Sequence, residues 1–191
     1  RFGGIAIFAG IMVSLYLFSH DEENVNAAML GCTLIYILGL IDDLKNLKPI
    51  VKFTGQVICA SAVYIAGLRI EFITNYFGDG RIMLGDVVCF VMTVLWLVAI
   101  TNAINLIDGL DGLAAGIAAI SALCIGYVAY IHGQYASMIA MMTIAGAALG
   151  FLPYNFNPAK IFMGDSGSQL LGFAIAAFSI TGVVKSATVV V

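Results

Sequence analysis

Five carboxylates fall in three short motifs of a chain that otherwise carries little charge. The motifs are Gly39-Leu-Ile-Asp42-Asp43, Asn105-Leu-Ile-Asp108-Gly-Leu-Asp111-Gly112 and Phe162-Met-Gly-Asp165-Ser-Gly-Ser168. Adjacent acids such as Asp42 and Asp43 do not both ionise cheaply unless a cation or a water-filled cleft is near. Lys45, Lys48 and Lys52 follow them and could hold a phosphate facing the pair. A solvated helix end balanced by lysines is the plainer account of that motif alone. Asp108 and Asp111 are three residues apart, a spacing that puts both on one face of a helical turn. Gly109 and Gly112 let backbone approach a ligand closely. A plain connector with capping acids would not need two acids, an amide and two glycines together. Asp165 and Ser166 precede an apolar run, where free N–H groups at a helix start could meet an anion. Asp165 could equally be a simple N-cap. Phe162 could stack on a base or anchor at a membrane interface.

These residues need elements to hold them, and composition dictates which. The chain has 191 residues, 62% hydrophobic and 10% charged, with a mean hydropathy of +1.05. Soluble domains are about 25% charged, so the bilayer must be the solvent here. Apolar runs lie at 3–19, 25–41, 53–68, 86–104, 113–132, 135–152 and 169–184. A crossing helix takes roughly 20 apolar residues, so about seven helices are expected. The runs are too long for barrel strands and lack alternation. The fold class is therefore all-α, a polytopic transmembrane bundle of about seven helices. Residues 69–85 alternate around Gly78-Asp79-Gly80 and read as a small extracytoplasmic β-hairpin. Gly112/Gly116 and Gly146/Gly150 have the spacing of close helix packing.

Counting crossings from Arg1 puts all three motifs on one side, with Arg1, Lys45, Lys48, Lys52 and Lys160. Arg69, Arg81 and Lys185 fall on the other side, so the motif side is expected to be cytoplasmic. His20 and His132 fall opposite the motifs. Gly164-Asp-Ser-Gly-Ser168 looks like the Gly-Asp-Ser-Gly-Gly of chymotrypsin-like proteases, but it departs at its last residue and no histidine could serve Ser166. Oxygen-only ligands favour Mg²⁺ or Mn²⁺ over zinc. Cys32, Cys59, Cys89 and Cys124 are isolated in apolar runs and read as packing residues. The net charge of −3 gives no reason to expect nucleic acid. On these grounds alone three readings stay open: a Mg²⁺-using membrane enzyme on a phosphorylated substrate, a cation or proton transporter with intramembrane carboxylates, and a scaffold. Acids clustered at one face, with no visible repeat, count against transport.

With Arg1-Phe-Gly-Gly-Ile-Ala-Ile-Phe8, Lys52-Phe-Thr-Gly-Gln56, Asn102-Ala-Ile-Asn105 and Asn155 through Ser168 added, the chain resembles the polyprenyl-phosphate N-acetylhexosamine-1-phosphate transferases. The wording of its motifs looks more like the branch using UDP-N-acetylglucosamine than the branch making peptidoglycan lipid I. The resemblance implies a bacterial plasma-membrane enzyme with a cytoplasm-facing site and a groove for the polyprenyl chain. Undecaprenyl phosphate would attack the sugar-linked phosphate of a UDP-sugar, releasing UMP. The product would start a cell-wall polymer or lipid-linked glycan, such as teichoic acid or the O-antigen of lipopolysaccharide. It also implies roles. Asp165 matches a Mg²⁺ ligand, and Mn²⁺ is a conceivable substitute. Asp42 and Asp43 match an Asp pair, one of which acts on the lipid phosphate, and Lys52 a lysine near it. Asn105, Asp108 and Asp111 match residues around nucleotide and metal. Asn155 and Phe162 match positions holding the uracil. The partners implied are undecaprenyl phosphate, a UDP-sugar and the bilayer, with a homodimer as one allowed assembly. The family's further His-rich loop is not in this sequence. The chain is thus expected to be one integral membrane domain, residues 1–191, from a protein with at least one more N-terminal helix and further C-terminal helices.

Overall fold

The computed structural model describes residues 3–19, 23–74 and 81–186. Seven helices lie among them: α1 (Gly3–Ser19), α2 (Glu23–Lys45), α3 (Pro49–Ile65), α4 (Asp86–Ile107), α5 (Leu113–Ile131), α6 (Tyr135–Asn155) and α7 (Gly164–Ser186). Strands β1 (Phe72–Thr74) and β2 (Arg81–Met83) pair antiparallel, Ile73 opposite Ile82. They form the hairpin expected between α3 and α4; its Gly78-Asp79-Gly80 turn, like Arg1, His20, Asp21 and Glu22, lies outside the described residues.

By length and composition α4, α5, α6 and the Asn24–Lys45 part of α2 can each cross a membrane, while α1 and α3 are shorter apolar helices. Large apolar side chains such as Val13, Ile58, Leu95, Ile120 and Tyr127 are exposed on the outside of the bundle. In water such a surface would be an aggregation liability; in lipid it is the solvated face. Thr93 and Thr101, fully buried, bond the carbonyls of Cys89 and Leu97 one turn back. Their hydroxyls therefore need no water.

α7 is the axis of the bundle. It packs on α2, α4, α1, α6 and α5, and Leu170, Leu171, Phe173, Ala174, Ala177 and Phe178 are buried among them. Between lipid-embedded helices close packing, rather than water exclusion, supplies the attraction. Gly39 of α2 shows how close it is: a Cβ there would lie 2.6 Å from Ser166 Cα and 2.8 Å from Asp165 O. The spacings Gly112/Gly116 and Gly146/Gly150 do not serve this purpose. Gly116, Gly146 and Gly150 have no atom within 4 Å of a would-be Cβ, and Gly112 is instead a turn residue at φ +75°.

Helix ends depart from the apolar runs in one consistent way. α2 carries Asp42 and Asp43, α3 carries Lys52, α4 runs through Asn105 to Ile107, and α7 begins at Gly164. Hydropathy marks where the bilayer ends, whereas backbone hydrogen bonding continues the helix until a cap or a proline stops it. Pro49 opens α3 in the first-turn position that lacks an intrahelical donor role. Asp108 and Asp111 do not share a helical face, because α4 has ended and residues 108–112 form a turn.

Candidate active site

The motifs meet because the chain direction alternates. Asp42 at the end of α2 pairs with Lys52 near the start of α3, at 2.9 Å. Asn105 near the end of α4 reaches Asp165 in the first turn of α7, Nδ2 to Oδ1 2.7 Å. Gly112 N, before α5, donates to Asn155 Oδ1 at the end of α6, at 3.1 Å. Gly3 and Gly4 N–H groups, opening α1, donate to the Phe162 and Met163 carbonyls. Starts of odd helices and ends of even ones therefore gather at one end of the bundle.

At the centre lies Lys52. Its ammonium contacts Asp42 Oδ2, Asp165 Oδ1 and Asn105 Oδ1, the last at 3.0 Å. One cation thus stands among two carboxylates. Asp42, only 5% exposed, also accepts the Leu47 N–H through Oδ1 at 2.8 Å, which fixes the turn between α2 and α3. Asp43 points elsewhere: its two oxygens accept the N–H groups of Asp165 and Ser166 and the Ser166 hydroxyl.

Asp165 and Asn105 form a wall shared by two hollows, with Lys52 on one of them. One cavity, about 420 Å³, is lined by Asp43, Asn105, Asp108, Phe162, Gly164 and Asp165. The other, about 650 Å³, is bounded by Asp42, Lys52, Phe53, Asn102, Asn105 and Asp165 among others. Phe53 and Asn102 also edge an apolar groove of about 410 Å³ between α3 and α4, lined by Val57, Phe90, Val91, Val94 and Leu95. The groove thus adjoins the second cavity and faces lipid.

Asp108 sits just past the end of α4. Burial first, then the Asp165 and Asp43 charges, push its carboxyl up to about 7. Phe162 is 53% exposed and lines the same cavity. Asp111 and Asn155 lie behind it. Asp111 Oδ2 accepts the Asn157 side chain and the Ala159 N–H, at 3.1 and 3.0 Å. Asn155, buried, links Gly112 N to the Ile161 carbonyl. Both therefore staple the 108–112 turn to the loop that carries Phe162, and neither lines the cavity beside Asp165.

Sequence reasoning gave no role to Gln56, Asn102, Ser168 and Gln169. Asn102 Nδ2 donates to Gln56 Oε1 at 2.6 Å, and Gln56 Nε2 to Gln169 Oε1 at 3.0 Å. Ser168 Oγ accepts from Asn105 at 2.8 Å. Gln169 Nε2 is buried with no partner among the described residues. The signal was present: Gln56 follows Lys52, and Gln169 follows Asp165, by four residues, one helical turn.

A divalent cation fits the donors in kind, since the cavity offers carboxylate and amide oxygens. Among the described residues no three acidic, His or Cys side chains converge on a metal position. Further ligands would have to come from substrate or water.

Comparison with known proteins now bears on this geometry. A sequence model of glycosyl transferase family 4 matches residues 25–183. The chain belongs to glycosyl transferase family 4. Within reach of this family assignment, the chain is 42% identical, over 98% of its length, to a probable undecaprenyl-phosphate N-acetylglucosaminyl 1-phosphate transferase of Bacillus subtilis, covering 52% of that protein. It is 39% identical to a decaprenyl-phosphate N-acetylglucosaminephosphotransferase of Mycobacterium tuberculosis, over 95% of the chain and 49% of the relative. It is 36% identical to a phospho-N-acetylmuramoyl-pentapeptide-transferase of Streptococcus thermophilus, over 92% and 55%. The chain spans about half the length of these curated relatives. The chain is thus a glycosyl transferase family 4 member whose described residues include four helices long and apolar enough to cross a bilayer, and the relatives it matches are transferases by name.

Proposed function

We propose that the protein carrying this chain transfers N-acetylglucosamine-1-phosphate from a UDP-sugar to undecaprenyl phosphate, releasing UMP. The observation that carries the reading is the wall of Asp165 and Asn105 shared by two cavities, one polar and the other holding Lys52 and adjoining an apolar groove. Such an arrangement suits two phosphorylated substrates, one of them a lipid, that must meet across a shared cation.

In this reading the polyprenyl chain lies along Val57, Phe90, Val91 and Val94, and its phosphate reaches the Asp42–Lys52 side. The UDP-sugar occupies the cavity beside Asp108, with its uracil on Phe162. A lipid-phosphate oxygen attacks the sugar-linked phosphorus. The bond from that phosphorus to the bridging oxygen breaks, and UMP leaves with the electron pair. Lys52 holds the two anions against their mutual repulsion. Asp165 and Asp108 would hold Mg²⁺, or Mn²⁺ in its place, which supplies further charge neutralisation to the diphosphate. Asn105 orients Asp165 and Lys52 together. The site faces the cytoplasm in this account, supported by Lys45, Lys48, Lys52 and Lys160 at the same end.

The test uses the full-length protein in detergent with Mg²⁺, undecaprenyl phosphate and radiolabelled UDP-N-acetylglucosamine. Label enters the lipid and UMP appears with wild type, and both vanish with Asp165→Asn. UDP-N-acetylmuramoyl-pentapeptide is the second donor; transfer from it alone would move the assignment to lipid I synthesis. Inactivity of folded protein with both donors would overturn the reading and return transport to first place.

A further inference from the structure

Asp42 and Asp43 are adjacent, yet only Asp42 touches Lys52. Asp43 faces the N-terminus of α7. Its Oδ1 accepts the Asp165 N–H at 2.8 Å, and its Oδ2 accepts the Ser166 N–H at 3.0 Å and the Ser166 hydroxyl at 2.6 Å. The first N–H groups of a helix have no partner of their own. They are normally satisfied by a side chain at the helix start, but Gly164, the first residue of α7, has φ +72° and no side chain. A Cβ on Gly164 would lie 2.7 Å from both Asp43 oxygens, so the glycine makes room for the carboxylate. Gly39, one turn before Asp43 on α2, lets the helices approach this closely.

We infer that Asp43 is a positioning residue: it is the N-cap of α7, supplied from α2, and it acts through Asp165. The inference rests on the proposed transferase reading for what Asp165 does, but not for the cap itself. Three hydrogen bonds to one carboxylate lock the turn that carries Asp165, and thereby set where Asp165 meets Lys52 and Asn105. The negative charge also suits the positive end of the helix dipole. The two acids of one motif therefore divide: Asp42 belongs to the Lys52 side of the wall, and Asp43 holds the wall's other post. With three of its roughly four lone-pair positions taken by the start of α7, Asp43 is held to that helix rather than turned toward Lys52.

Two measurements on the full-length protein decide this. The first is amide hydrogen exchange over residues 164–170, without substrates. Asp43→Ala should speed exchange there about tenfold, the usual scale for losing a helix cap. Ser166→Ala, which removes one of three bonds, should give a smaller change in the same direction. Asp108→Asn, which makes no such bond, should leave exchange there as in wild type. The second is the pH dependence of kcat. Asp43→Ala should lower kcat about tenfold or more while leaving the shape of the pH profile as in wild type. Unchanged exchange in Asp43→Ala would overturn the inference. So would a pH profile that changes shape with Asp43→Ala alone, since that marks a group titrating in the reaction. If wild type transfers no sugar phosphate, the transferase reading fails, and the exchange result still decides whether Asp43 caps α7.

Discussion

Among the described residues Lys52 is the one cation in contact with two site carboxylates, Asp42 and Asp165. Lys52→Met should therefore lower transfer by about 10²–10³-fold, the scale for removing one group that stabilises developing charge. Lys52→Arg should not restore it, because a planar fork cannot replace a compact ammonium among three oxygens. Initial rates with both substrates saturating check this. Asp108 gives a second prediction. Burial and then the Asp165 and Asp43 charges push its carboxyl up from the ordinary 3.8 to about 7. The folded state thus binds the proton more tightly, and stability falls as pH rises between those values. Without divalent cations, Asp108→Asn should remove that part of the decline, read as thermal midpoints in detergent from about pH 4 to 7. At this scale the sequence was only partly legible. The motif Lys52 and the acids were visible as polar groups in apolar surroundings. The split between Asp42 and Asp43 was not, because consecutive helical residues point about 100° apart. Which helix each one meets depends on where α3 and α7 pack, a long-range fact.

The elements were more legible than their ends. Seven apolar runs gave seven helices, and alternation gave the hairpin strands, since in lipid only a helix satisfies its own backbone. The ends moved by up to five residues at α7, where residue 169 was expected and Gly164 found, because Asp43 caps the helix well beyond the last apolar residue. The close α2–α7 approach was equally hidden. Gly39 lies inside a quoted motif, but nothing local says that Ser166 backbone will press on it. Gly39→Ala should therefore destabilise the protein by about 1–3 kcal/mol, as overpacking does, and lower activity by displacing α7. Gly116→Ala, with open space at its Cβ, should leave activity intact and stability equal or slightly higher. Thermal midpoints of the two variants, measured side by side, separate these outcomes. A Gly39→Ala protein as stable and active as wild type would contradict the close packing.

At the scale of the whole molecule, alternating helix direction brings every motif to one end of the bundle, and α7 runs through its centre carrying Asp165. Crossing parity made the shared end readable from sequence. The two hollows were not readable, because their walls combine α2, α3, α4, α7 and the loops between them. The central claim is that the hollows serve different substrates. The most direct measurement is a pair of KM values, for UDP-sugar and for undecaprenyl phosphate, in Phe162→Leu and in Val91→Trp. Phe162 is on the nucleotide side and should raise the UDP-sugar KM about tenfold or more, the scale of lost base stacking, leaving the lipid KM unchanged. Val91→Trp fills the apolar groove and should raise the lipid KM alone. Crossed or equal effects on both substrates in either variant would contradict the division of the site.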